Sequence, residues 1–330
     1  MEILERKHSV AEVSLSNVCN FTCDYCISGS YNQEIQTNED GSVKVFKDPR
    51  LNDKGQVDLQ LARKYGLSMG TMTPEEHDRM LKENNLGHSQ GDFLDHNKFI
   101  DFCRTRLHDW VIQVTGGEPL IVPKADEFIL ELSKTHKIIL LSNISRLSKN
   151  MSILNIPNDR LFFRVGFHPE SYPIEGYLKN IKILEDNNRD YIVNYVLHPR
   201  HIENGMAKAY VDFLIDNDIP HEVTRFEGNW GGKHYPFAEI SDRERELLSS
   251  HSIDNNFTRD VNTPGTTFMA IQPNGHIYQC SIKGRYLGSI YDGRFLSNNK
   301  KALPECFGEM NKCPSVVAQE HIFHNIGWGD

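Results

Sequence analysis

The sequence predicts an α/β fold, in which a parallel sheet alternates with helices and a smaller α+β unit follows. Three observations carry this reading. Six β-rich runs recur at wide spacing through roughly the first 225 residues; helical patterns with one apolar face lie between them; and after residue 235 the alternation gives way to a charged connector and a short hairpin.

The strands are "AEVSLS" (11–16), "WVIQVT" (110–115), "KIILLSN" (137–143), "RLFFRVGF" (160–167), "YIVNYVL" (191–197) and "HEVTRF" (221–226). Each is a run of β-branched and aromatic residues, short enough for a strand and too short for a buried helix. "HNKFIDFCRTRLHDW" reads as a helix that puts Phe99, Cys103 and Leu107 on one face. "PKADEFILELSKTH" opens with a proline suited to a first helical turn and repeats Phe128, Ile129 and Leu132 at helix spacing. "EGYLKNIKILEDNN" does so with Leu178, Ile181 and Leu184, and "NGMAKAYVDFLIDN" with Tyr210, Phe213 and Leu214. Residues 29–92 interrupt the pattern with a polar insertion. It contains a helix start at Thr73, Pro74 and Glu76 with a stop at Gly87. It reads either as a surface excursion or as a lid over the site. The division is therefore 1–235 for the main unit and 236–330 for the second, which includes "FMAIQPNGHIYQC", a hairpin turning at Pro273, Asn274 and Gly275.

With 330 residues, 38% of them hydrophobic, the chain buries a substantial core. No run of about 18 apolar residues exists, and "MEILERKHSV" is charged where a secretory signal is apolar, which points to a cytoplasmic protein with no membrane partner. A net charge of -9 argues against nucleic acid as the main partner. Seven cysteines in a reducing compartment read as metal ligands or buried thiols rather than disulfides.

Three of the seven stand together in "VCNFTCDYC", directly after the first strand, where parallel sheets place their chemistry. Structural zinc requires a fourth ligand, yet no further Cys or His occurs between Cys26 and His77, and only His8 lies near upstream. A four-iron four-sulfur (4Fe-4S) cluster takes three thiolates from one tight loop and leaves one iron open to a substrate or cofactor. Cys103, on its apolar helical face, reads as a buried thiol, with a hydrogen-atom donor as the alternative.

Cys19, Cys23, Tyr25 and Cys26 form C-x3-C-x2-C with an aromatic residue before the last cysteine, and "TGGEPLIVP" (115–123) follows the second strand. In both motifs the chain resembles the radical S-adenosylmethionine (radical SAM) superfamily over roughly its first 225 residues. The resemblance implies a partial (β/α)6 TIM-like barrel, with Cys19, Cys23 and Cys26 on a cluster whose fourth iron is chelated by SAM. It implies reductive cleavage of SAM to a 5′-deoxyadenosyl radical and hydrogen abstraction from a substrate. Gly116, Gly117 and Glu118 are then expected to hold the SAM amino group. Ser142, Asn143, His168, Glu170 and Asn194, at later strand ends, are expected at the ribose and carboxylate, and Phe21 and Tyr25 at the adenine or simply in loop packing.

Cys280, Cys306 and Cys313 lie in a stretch that resembles SPASM and twitch domains, a small C-terminal α+β unit that binds an auxiliary iron–sulfur cluster. The ligand cysteine usual before the hairpin is missing, which leaves Asp260, a histidine or the substrate for the fourth iron; zinc with His321 or His324, or unliganded thiols, are the alternatives. The expected substrate is a peptide or protein, with a sugar- or nucleotide-derived small molecule as the second choice, and an electron donor such as flavodoxin or ferredoxin is implied. The reading of another class is a non-catalytic zinc-binding interaction protein. "EGNWGGKHY" (227–235) is a candidate pocket lining.

Overall fold

The structure, a computed structural model, describes residues 9–21, 23, 31–32, 93–226, 228–230, 233–235, 241–242, 246–247, 268–278 and 286–291. The helix expected to start at Thr73, and Tyr25, Cys26, Asp260, Cys280, Cys306 and Cys313, lie outside the described residues.

The strands follow the β-rich runs closely: β1 (Ser9–Ser14), β2 (Val18–Cys19), β3 (Tyr31–Asn32), β4 (Trp110–Thr115), β5 (Ile138–Ser142), β6 (Leu161–Gly166), β7 (Tyr191–Leu197) and β8 (His221–Arg225). Two more, β9 (Gly228–Trp230) and β10 (Lys233–Tyr235), make an antiparallel pair. The C-terminal set is β11 (Phe268–Ile271), β12 (His276–Tyr278) and β13 (Tyr286–Ser289). The helices are α1 (His96–Arg106), α2 (Ala125–Ser133), α3 (Ile174–Asp186), α4 (Pro199–Glu203) and α5 (Met206–Asp216). Two short 3-10 turns, Leu147–Lys149 and Met151–Asn155, stand between β5 and β6.

Nine strands form one sheet in the order β13-β12-β11-β1-β4-β5-β6-β7-β8. Every pairing from β11 to β8 is parallel. The second unit therefore opens with strands that extend the main sheet: Val10 to Val13 of β1 pair with Phe268 to Ile271 of β11. The hairpin turn is as read, with Gly275 at positive φ (77°) donating to the Gln272 carbonyl at 2.8 Å.

The helices cover one face. Ala11, Val13, Ile112, Val114, Ile138, Leu140, Phe163, Val165, Val193 and Val223 alternate onto that face and pack with Phe99 and Cys103 of α1, Phe128 and Leu132 of α2, Ile181 of α3 and Val211 of α5. On α5 the buried stripe is Ala207, Val211 and Leu214, with Tyr210 and Phe213 half-buried beside it; on α3 Tyr177 is buried and Leu178 only partly. The opposite face, without helices among the described residues, buries an apolar group of Val10, Val111, Ile139, Phe162 and Phe268. Two helices have a clear local start. The Asp95 side chain accepts from the Lys98 amide at 3.0 Å to start α1, and Pro199 stands in the first turn of α4, where its missing N–H is not required.

Candidate active site at the carboxyl ends of the strands

The loop after β1 and the Gly-Gly-Glu segment after β4 lie backbone against backbone. Gly117 donates to the Ser16 carbonyl at 2.7 Å and Glu118 to the Val18 carbonyl at 2.9 Å, prolonging the β1–β4 ladder past the strand ends. The glycines are required by that contact. Gly116 has φ +135°, and a Cβ there would lie 2.4 Å from the Ser16 carbonyl oxygen; at Gly117 it would lie 2.0 Å from that of Val18. The segment thus sets the course of the chain into Cys19.

Glu118 is 1% exposed and fully engaged inside the protein. Its Oε1 accepts from Ser142 Oγ at 2.7 Å and from the Leu120 amide at 2.9 Å, and its Oε2 accepts from the Asn143 amide at 2.7 Å. Burial pushes its carboxyl above the usual carboxylate range, against the pull of those three donors. The carboxylate therefore clamps the end of β4 to the end of β5. Asn143 carries the link onward: its amide group donates to Asn20 Oδ1 at 3.2 Å and, at a longer 3.9 Å, to the sulfur of Cys19. Asn20 in turn donates to Ser145 Oγ at 2.8 Å.

Cys19 is 8% exposed and its sulfur accepts from the Phe21 amide at 3.4 Å. Cys23 Sγ lies 3.5 Å from His168 Nδ1 and 3.6 Å from Ser171 Oγ. His168 is held neutral, pushed down to about 4 by burial with the Glu118 charge opposing. Phe21 packs edge-on to His168 at 5.8 Å and against Tyr172 at 5.7 Å. Of the residues singled out in sequence, Cys19, Phe21, Cys23, Gly116, Gly117, Glu118, Ser142, Asn143 and His168 thus gather in one place. Two do not. Glu170 turns to Arg200 and His201 of α4, and Asn194 bonds Glu222 and Thr224 of β8. Cys103 is a buried apolar thiol in the helix-side core, and burial pushes it well above the usual thiol range. Ser16, Asn20, Ser145 and Ser171 went unread in sequence; Ser16 and Asn20 adjoin the cysteine motif, and Ser145 and Ser171 follow the strand-end residues Asn143 and His168.

Among the described residues no three metal-ligating side chains come together, Cys26 lying outside them. The two thiols described fit an iron–sulfur group by their surroundings. Amide groups point at Cys19 and a histidine and a hydroxyl adjoin Cys23, the kind of donor that stabilises a ligating thiolate.

No protein-family model matches the chain, and no curated protein matches it in sequence. Solved structures do match in fold. The chain is similar to native anSMEcpe with bound AdoMet, with a TM-score of 0.53 at 12% identity over 86% of this chain and 78% of that one. It is similar to native anSMEcpe with bound AdoMet and Kp18Cys peptide, with a TM-score of 0.52 at 11% identity over 86% and 78%. At these identities the likeness is one of fold: this chain shares with anSMEcpe a mixed α/β architecture built on a mostly parallel sheet.

Proposed function

We propose that the chain is a radical SAM enzyme, with Cys19, Cys23 and Cys26 holding a 4Fe-4S cluster and SAM bound at its open iron. The observation that carries this reading is the backbone contact between the Gly116-Gly117-Glu118 turn and the chain entering Cys19, which unites two motifs about 100 residues apart in sequence at the carboxyl edge of a parallel sheet. When bound, the cluster supplies the electron that cleaves SAM reductively, and the protein supplies orientation and shielding. Gly116 and Gly117 let the turn close directly on the chain entering Cys19 and so fix the course of the cysteine loop. Asn143 and the Phe21 amide direct donors at Cys19, and Phe21, Tyr172 and His168 wall off water on the Cys23 side. The buried apolar group on the helix-free face supports closure of the sheet as a partial (β/α)6 barrel.

The substrate in this reading is a peptide or protein, supported by the fold shared with anSMEcpe, which is seen with a bound peptide. A one-electron donor such as flavodoxin or ferredoxin completes the system. Cys280, Cys306 and Cys313, with Asp260 or another non-cysteine ligand, hold a second cluster in a twitch-like extension.

The test is anaerobic reconstitution followed by iron, sulfide and 5′-deoxyadenosine analysis. Replacing Cys19, Cys23 and Cys26 together with alanine is expected to abolish 5′-deoxyadenosine formation and to leave about four irons per chain at the auxiliary site. A triple variant that still cleaves SAM refutes the assignment, and one that binds zinc and no iron refutes the second cluster.

A further inference from the structure

The helix-free face is apolar at its base and polar one step nearer the thiols. Along β6, Phe162 belongs to the apolar group and Arg164 follows on the same face, with Gly166 about 7 Å farther on. The ring of His168, which touches Cys23, folds back over Gly166: a Cβ there would lie 2.5 Å from His168 Nε2. Arg164 therefore sits between the base of the sheet and the thiol site. It pairs with Glu222 of β8 across β7, where Asn194 stands in register with Glu222.

Glu222 is 1% exposed and its two oxygens are used very unequally. Oε1 accepts from Arg164 Nε at 2.7 Å, from a second nitrogen of the same guanidinium, and from Asn194 Nδ2 at 2.7 Å. Oε2 is buried with no hydrogen-bond partner. A buried arginine–carboxylate pair more often shares two parallel bonds, one per oxygen. Here all the donors converge on one oxygen and the other is left open. On the same face Gln113 of β4, 3% exposed, spends its amide nitrogen on Glu12 at 2.8 Å and leaves its buried Oε1 unmatched. Among the described residues both unmatched atoms on this face are acceptors, so what they require is a donor. A desolvated carboxylate oxygen is met most strongly by a charged donor, and an ammonium brings three N–H bonds.

We propose that the face formed by Arg164, Asn194, Glu222 and Thr224 binds a protonated primary amine of the substrate, with Glu222 Oε2 as its acceptor. The proposal rests on the reading of the adjoining thiols as the reactive site and supplies the substrate's chemical class: a lysine side chain in a peptide, or an amino sugar. The test is calorimetric titration of the anaerobically purified full-length chain with Nα-acetyl-lysine methylamide and with glucosamine, each against its neutral counterpart, the norleucine derivative and glucose. One amine is expected to bind, its counterpart about 10- to 100-fold more weakly, and Glu222→Gln is expected to weaken the amine by a similar factor. Which amine binds identifies the source. Because Glu222→Gln strips the largely covered Arg164 of its countercharge, the double variant Arg164→Met, Glu222→Met, which removes both charges, is titrated alongside. Failure of both amines to bind, equal binding of a neutral counterpart, or undiminished binding by either variant overturns the site, the open oxygen then being met by buried water. Iron content and 5′-deoxyadenosine are read separately. A chain without iron that binds the amine through Glu222 refutes the proposed chemistry and leaves this site standing, and an iron-loaded, SAM-cleaving chain indifferent to amines refutes this site alone.

Discussion

At Gly117 a Cβ would lie 2.0 Å from the Val18 carbonyl oxygen and 2.9 Å from the Cys19 amide nitrogen, both of them backbone atoms with no rotamer in which to retreat. Gly117→Ala must therefore move the cysteine loop itself, and a loss of about 1–3 kcal/mol of stability is expected, as for other overpacked sites. Urea unfolding and iron per chain after reconstitution measure it; full iron loading at unchanged stability would mean that the two segments do not touch. Glu118 makes a different demand. Both its oxygens face donors, so the amide of Glu118→Gln must turn its NH2 toward either Ser142 and Leu120 or Asn143. One donor-against-donor contact in a buried site costs about 1–3 kcal/mol. A lowered urea midpoint before any SAM is added is the expected result, and an unchanged midpoint would return Glu118 to the ligand-facing role that the motif alone suggests.

Strand by strand, the fold was legible because burial on both faces leaves near-continuous apolar runs: "WVIQVT" and "YIVNYVL" match β4 and β7 residue for residue. The helices were legible from their apolar stripes, although α5 turns slightly further than its large residues suggested, since Ala207 faces the core and the bigger Tyr210 and Phe213 lie at its margin. What stayed hidden is the use of polar residues inside strands. Nothing local in "LFFRVG" or "HEVTR" marks Arg164 and Glu222 as partners, and only the pairing across β7 reveals Glu222 as buried against a largely covered Arg164. At this scale α1 carries a pH dependence. His96, packed on Phe128 at 4.5 Å, is pushed from 6.5 to about 4 by burial, against the Asp95 charge. Its folded-state pKa lies below the unfolded one, so the unfolded chain binds the extra proton between the two values. The contribution is present in full above about pH 6.5 and is lost as pH falls toward about 4, with a slope approaching about 1.4 kcal/mol per pH unit. Urea unfolding across that window should show a flatter profile for His96→Leu than for the unaltered chain; parallel profiles would contradict the burial of the ring.

On the scale of the whole molecule, the sequence suggested a boundary at residue 236, yet β11 to β13 continue the main sheet. Long-range parallel pairing leaves no local periodicity, so nothing in "FMAIQPNGHIYQC" announces β1 as its neighbour. The consequence is energetic. Phe268 fills the apolar group on the helix-free face, while Met269, Ile271 and Ile277 fill the helix-side core, all four essentially inaccessible to water. At about 1.5–3 kcal/mol for each buried side chain they contribute about 6–12 kcal/mol, comparable with the whole stability of an ordinary domain. Removing them also bares β1, which pairs with β11 on one side and β4 on the other, as a parallel edge lined by Val10 and Val13. A chain cut to residues 1–235 is therefore expected to lose cooperative unfolding and to aggregate on expression, whereas the full chain unfolds with the hairpin and the main sheet in a single transition. Size-exclusion chromatography and urea unfolding of the two forms decide the matter. A monomeric, cooperatively folded 1–235 fragment would support the boundary at 236, with the C-terminal strands a separable domain that shares the sheet.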